Sequence, residues 1–159
     1  MNTVTRAERP DAPVSRELIA ELDAILQPNY PPESQHGYSV DKLVQEGVAF
    51  FVVYVDDEPA GCGGVQLYGS EYAELKRMYV RPAFRGNGLG KLLVEHLTGY
   101  AVDRGVTVIR LETGVQQVEA IALYTGMGFE RIPPFGPYWD DPVSLCMEKR
   151  IEARGPGAL

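Results

Sequence analysis

The sequence predicts an α/β fold in which helices flank a mixed, mostly antiparallel central sheet. Three β-rich runs, 48–55, 60–67 and 71–80, follow one another through short connections, the pattern of a meander. A helical run, 89–103, then separates the third from a fourth, 106–112, and a second helical run, 117–125, precedes two more strand candidates, 129–132 and 143–149. Strands paired as neighbours and then joined through helices give a mixed sheet, not a doubly wound parallel one.

Taken in order, residues 4–7 are a short strand candidate. Ser15 is a suitable N-cap for a helix whose Leu18, Ile19, Leu22, Ile25 and Leu26 share one face, and Pro28 stops it. The stretch 28–37, with Pro31, Pro32, Glu33 and His36, is expected to be a loop, after which Ser39 caps a short helix through Gln45. Asp56-Asp57-Glu58-Pro59 joins the first two long strands as a hairpin. Leu92, Leu93 and Leu97 form the apolar stripe of the 89–103 helix. The end of the chain, rich in Gly and small residues, is expected to fray, which leaves one domain over 1–151 and a loose tail at 152–159.

Composition bounds the function. At 159 residues the chain is long enough for one proper core. A net charge of −7 argues against nucleic acid as a general partner, because neutralising phosphates requires clustered Lys and Arg. The longest uninterrupted apolar stretch, 48–55, is far too short to span a bilayer, so no membrane partner is expected. The N-terminus lacks the apolar core of a signal peptide, and Cys62 and Cys146 lie in apolar strand contexts suited to buried free thiols, so a reducing cytoplasm is the expected location. His36 and His96 are isolated, no Cys or His pair has ligand spacing, and no metal is expected.

The most informative segment is Arg85-Gly86-Asn87-Gly88-Leu89-Gly90, which lies between a strand run and a helix run. Glycines there let the backbone turn sharply and approach a ligand, while the following helix aims unpaired N–H groups and its positive dipole end at the turn. Arg85 adds a fork suited to phosphate oxygens. A P-loop would need glycine five positions before Gly90-Lys91 and Ser or Thr after it; Arg85 and Leu92 stand there instead. The dinucleotide fingerprint also misses its spacing, although Glu112 lies where a ribose-binding acid would. A purely structural glycine turn remains an alternative. Lys76, Arg77, Arg81, Arg85 and Lys91 gather around this segment and suit one anionic cofactor, or else Lys76 and Arg77 belong to a solvated strand edge.

The spacing Arg85-x-x-Gly88-x-Gly90 and the whole segment 74–93 resemble the central strand, loop and helix of the GNAT superfamily of N-acetyltransferases. Ala120-Ile121-Ala122-Leu123-Tyr124-Thr125-Gly126-Met127-Gly128-Phe129 is similar to the family's later A-x-x-x-Y-x-x-x-G-F helix and strand. The resemblance covers about residues 70–150; the first 70 match only in element order. It implies a sheet whose middle strands splay apart, with the pantetheine of acetyl-coenzyme A inserted between them and bonded to the backbone of Met78, Tyr79 and Val80. The pyrophosphate would lie against Arg85, Gly86, Asn87, Gly88, Leu89, Gly90 and Lys91. Gln117 stands where the family often has Asn, and Tyr124 at the tyrosine that faces the coenzyme sulfur. A homodimer through sheet edges is compatible with the resemblance.

Acetyl transfer to an amine needs a proton removed from an ammonium of pKa ~10, an oxyanion stabilised and a thiolate protonated. The resemblance implies Tyr124 as the acid, Val80 N–H as the oxyanion donor and Glu74 as the base, with Glu112 in reserve. Strand alternation would put Glu74 and Val80 on one face. The structural alternatives are a core aromatic at Tyr124 and a Glu74 salt-bridged to a neighbouring Lys or Arg. The acceptor would enter between loops 28–38 and 133–142, against Tyr30, Tyr38, Tyr138, Trp139 and Asp140. Aromatic faces beside Asp140 and Asp141 suit a small cationic or aromatic amine; packing of those aromatics on the sheet end is the alternative. A peptide amine stays open as acceptor, as does an acyl-coenzyme A sensor without turnover.

Overall fold

The computed structural model describes residues 1–35 and 38–152. His36 and nearly all of the 152–159 tail lie outside the described residues. The elements are β1 (Thr3–Glu8), α1 (Pro13–Leu26), α2 (Val40–Gln45), β2 (Ala49–Val55), β3 (Glu58–Tyr68), β4 (Tyr72–Val80), α3 (Leu89–Asp103), β5 (Val108–Gly114), α4 (Val118–Gly126), β6 (Glu130–Ile132) and β7 (Ser144–Arg150). They build a seven-stranded sheet in the order β1-β2-β3-β4-β5-β7-β6, in which only β4 and β5 pair parallel. This is the mixed, mostly antiparallel sheet that the order of strand and helix signals predicts.

Helices cover both faces. On one, Leu18, Ile19 and Leu22 of α1 and Leu43 of α2 pack on Phe50, Val52 and Cys62. On the other, Val94, Leu97 and Ala101 of α3 and Tyr124 of α4 pack on Phe51, Val65, Leu75 and Leu111. Burying such side chains stabilises the fold by about 1.5–3 kcal/mol each before entropy is counted, which commits each helix to its face.

Several local expectations are corrected. Ser15 does not cap α1: Ala12 holds that position, Pro13 opens the helix, and the buried Ser15 hydroxyl donates to Arg9 O at 2.7 Å. The β2–β3 connection tightens to Asp56 and Asp57, both left-handed at φ 49° and 69°, so Glu58 and Pro59 join β3. Strand β5 begins two residues later than expected. Val106 instead closes α3, its N–H bonding Ala101 O while left-handed Gly105 bonds Val102 O, a Schellman cap. Ser39 caps α2 as expected, accepting from Lys42 N–H at 3.2 Å.

Two features of β4 position the site. Its parallel pairing with β5 covers only Ala73/Ile109, Glu74/Arg110 and Leu75/Leu111, after which the strands part. A bulge at Arg77, left-handed at φ 56°, shifts the β3–β4 register from Gly64/Lys76 to Cys62/Tyr79. The extra residue reverses the alternation: Ala73 and Leu75 face α3 with Met78 and Val80, while Tyr79 joins the α1 side. Glu74 therefore does not share a face with Val80, contrary to simple alternation.

Candidate active site

Where β4 and β5 part, a cleft of about 820 Å³ passes through the sheet, from the glycine turn on the α3 side to the loops after α1 on the other. Among the predicted site residues it is lined by Glu74, Met78, Tyr79, Val80, Arg85, Gly86, Gly88, Leu89, Gly90, Lys91, Gln117 and Tyr124, and by Tyr30, Tyr38, Glu112 and Tyr138. Asn87, Trp139 and Asp140 do not line it.

At the α3 end the site is backbone. Gly86 and Gly88 are left-handed at φ 82° and 74°, and Gly88 is the N-cap of α3 with no side chain to satisfy the first N–H groups. A Cβ at either would meet no protein atom within 4 Å, so glycine here serves conformation and leaves the concave side open. At Gly90 a Cβ would lie 2.9 Å from Leu123 Cδ2; the missing side chain lets α3 start against α4. Asn87 acts behind the turn, donating from Nδ2 to Phe84 O at 3.0 Å.

Only part of the predicted basic cluster serves this turn. Arg85 and Lys91 remain exposed beside it, with Arg85 Nε donating to Val80 O at 3.2 Å. Arg77 turns instead to Asp23 of α1 at 2.5 Å. Arg81 forks onto Glu21 and Glu17, and its hydrogen bond holds the Glu21 carboxyl below the usual range. Lys76 is buried against Glu74 at 3.1 Å. Arg77 and Arg81 lock this strand and its end to α1, while Lys76 pairs within β4, demands that spacing does not reveal.

At the midpoint, Arg81 N–H bonds Ala60 O across to β3, so Val80, its neighbour in an extended strand, directs its N–H to the opposite edge, into the gap. Tyr124 is buried beneath that gap, its ring edge-on to Phe129 at 5.7 Å between centroids. Burial pushes its hydroxyl well above the ordinary tyrosine value, so it stays protonated and can act as a donor.

The α1 end is made of side chains. Glu74 is 1 % exposed; its Oε2 accepts from the Tyr138 hydroxyl and meets Lys76 Nζ, whose charge sits 3.7 Å from the Tyr38 ring centroid. The salt-bridged alternative for Glu74 is thus the observed pairing, with Lys76 as partner. Glu112 accepts from Ser144 Oγ at 2.5 Å. Tyr30 is buried with its hydroxyl accepting from Gln116 N–H at 3.0 Å, over a Gly114 whose added methyl would overlap it. Trp139 and Asp140 are exposed and Asp141 is buried, its Oδ1 accepting from Val143 N–H. The expected acidic mouth in that loop is not formed; the carboxylates lining the cleft are Asp23, Glu74, Glu112 and Glu119.

Sequence reasoning missed Ser34, Gln35 and Asp23, which also line the cleft. Gln35 donates to Tyr30 O at 2.9 Å, a contact whose one signal was proximity to the proline-rich loop. Cys62 is a free buried thiol pushed up to about 12 by burial, as suits an inert core cysteine. Among the described residues no three His, Cys, Asp or Glu gather as a metal site, and no helix is long and apolar enough to cross a membrane.

Comparison with known proteins agrees with this architecture. The family model for the acetyltransferase (GNAT) family matches residues 19–129. An IAA acetyltransferase of Azospirillum brasilense is 39 % identical over 94 % of this chain and 99 % of its own length. The crystal structure of a putative acyl-CoA N-acyltransferase from Klebsiella pneumoniae superposes with a TM-score of 0.79 at 32 % identity, covering 94 % of this chain and 98 % of that one. PaiA N-acetyltransferase from Thermoplasma acidophilum, solved in complex with coenzyme A, shares the fold at a TM-score of 0.75 and 21 % identity over 94 % of this chain and 99 % of its own. Sequence match and fold together make this chain a member of the acetyltransferase (GNAT) family, an acyl-CoA-dependent N-acetyltransferase.

Proposed function

We propose that the chain moves an acetyl group from acetyl-coenzyme A to the primary amine of a small molecule by direct attack within a ternary complex. The observation that carries this reading is the end of β4–β5 pairing at Leu75/Leu111, which joins the glycine turn to Glu74 and Tyr138 through one cleft. The residues suit the coenzyme: open left-handed glycines and a helix N-terminus for pyrophosphate, Arg85 and Lys91 beside it, and strand backbone at Met78 and Val80, past the last β4–β5 pair, for pantetheine. Tyr79 contributes through the same strand, its side chain held on Glu21 at 3.0 Å. Gln117, at the N-cap of α4, borders the same passage.

In the reaction, the acceptor amine loses its proton toward Glu74 and attacks the thioester carbon. Negative charge on the thioester oxygen meets Val80 N–H; as the C–S bond breaks, Tyr124 gives its proton to the departing thiolate sulfur and the proton that the nitrogen sheds in forming the amide replaces it. Closure of the acceptor end favours a small molecule over a peptide: Tyr138 reaches Glu74 from the loop before β7, and Tyr38 covers Lys76. Tyr30 and Glu112 complete the wall. The test is thiol release from acetyl-coenzyme A across a panel of small amines and N-terminal or lysine peptides. The expected outcome is turnover with small amines and little with peptides. Faster turnover with peptides overturns the acceptor class, and binding of coenzyme without release from any acceptor turns the reading to a sensor.

A further inference from the structure

Glu74 is poorly placed to touch an acceptor itself. Its side chain is 2 % exposed, Oε1 is closed to solvent and makes no hydrogen bond, and Oε2 is held by the Lys76 ammonium and the Tyr138 hydroxyl. Lys76, 5 % exposed under the Tyr38 ring, seals the carboxylate on that side. Tyr138 is different. It is half-buried, lines the cleft, and stands on a loop fixed by ring contacts with Phe135 at 5.2 Å and of Phe135 with Tyr72 at 5.5 Å.

We propose that Tyr138 is a proton-relay residue, its oxygen receiving the acceptor's proton while its own proton passes to Glu74 Oε2. This rests on the reading above in which Glu74 is the terminal base. In the step the acceptor N–H bond breaks and a new O–H bond forms on Tyr138. The old Tyr138 O–H bond breaks and an O–H bond forms on Glu74. The nitrogen electron pair freed by this exchange attacks the thioester carbon. Tyr138 ends as it began, Glu74 ends neutral, and no further reactant is required. Burial first, then the Glu74 carboxylate and its hydrogen bond, push the Tyr138 hydroxyl far above its ordinary value. A standing tyrosinate is thereby excluded, and one proton must arrive as the other leaves. After the product leaves, the same exchange run backward through Tyr138 returns the Glu74 proton to water in the cleft.

The experiment uses the amine that releases thiol fastest in the panel. Tyr138→Phe keeps the ring against Phe135 and is expected to lower kcat by about 100-fold, with KM for acetyl-coenzyme A unchanged and the fold retained. Glu74→Gln is expected to lower kcat comparably, and the double variant to be no slower than the worse single one, because both groups serve one proton path. In mixtures of H₂O and D₂O the wild-type kcat should fall along a curve, as for two protons in flight, and that of Tyr138→Phe along a straight line. Glu74→Gln with full kcat overturns the base reading and the relay together. An impaired Glu74→Gln beside a fully active Tyr138→Phe, multiplicative losses in the double variant, or a straight wild-type line overturns the relay alone.

Discussion

The two ends of the cleft are held by different kinds of interaction. At the coenzyme end the contacts are local: Asn87 bonds Phe84 three residues away, Arg85 bonds Val80 five away, and the geometry comes from the left-handed backbone of Gly86 and Gly88. At the acceptor end they are long-range, with Tyr138 and Glu74 64 positions apart, Tyr30 and Gln116 86, and Ser144 and Glu112 32. A site of backbone dipoles is generic toward any group with the right charge and shape. One of paired side chains is specific, because each partner left without its mate incurs a desolvation cost of about 1–3 kcal/mol. On the proposed reading, the family's shared coenzyme takes the first construction and the individual acceptor the second.

The largest expected effect breaks the local end. Gly88→Glu puts a side chain into a left-handed position, costing about 1–2 kcal/mol, and a negative charge where the proposed reading puts the coenzyme phosphate. It should abolish the rise in Tm that acetyl-coenzyme A gives the wild type, with turnover lost and the fold retained. A retained Tm shift would show that the turn does not hold the coenzyme.

Next comes the residue between the two ends. Tyr124→Phe should lower kcat by roughly tenfold to a thousandfold with KM for acetyl-coenzyme A little changed, since a thiolate is already a fair leaving group. Equal kcat, measured where chemistry limits the rate, would make Tyr124 a packing residue of the α4 core.

A smaller effect probes the long-range end alone. Gly114→Ala forces the Tyr30 ring from its place and is expected to cost about 1–3 kcal/mol of stability. KM for the amine should rise with KM for acetyl-coenzyme A steady. A change confined to the coenzyme constant would mean that the two ends are not separable.

The smallest effect is expected at Asp140. Its carboxylate is exposed and off the cleft, so Asp140→Asn should shift stability by no more than about 0.5 kcal/mol and leave KM for a cationic amine unaltered at low and high salt. A salt-dependent rise in that KM would restore the loop as a cation site.

The amino-acid sequence by itself determined the meander, the 89–103 helix to the residue, the glycine turn and the two motifs that identify the family, because hydrophobic period and glycine spacing are local quantities. Most of the site residues it named line the cleft. Only the tertiary structure decided which way the basic residues point: Lys76, Arg77 and Arg81 are spaced as if for phosphate, yet burial obliges each to find a carboxylate, at Glu74, Asp23 and Glu21. It alone decided that the bulge at Arg77 parts Glu74 from Val80, since a left-handed arginine has no signature in spacing. And it alone brought Tyr138 onto Glu74 while placing Trp139 and Asp140 off the cleft, because the outcome for three consecutive residues in a proline-rich loop depends on the sheet end they meet. Contacts across 64 residues are settled by packing, and packing is a property of the whole fold.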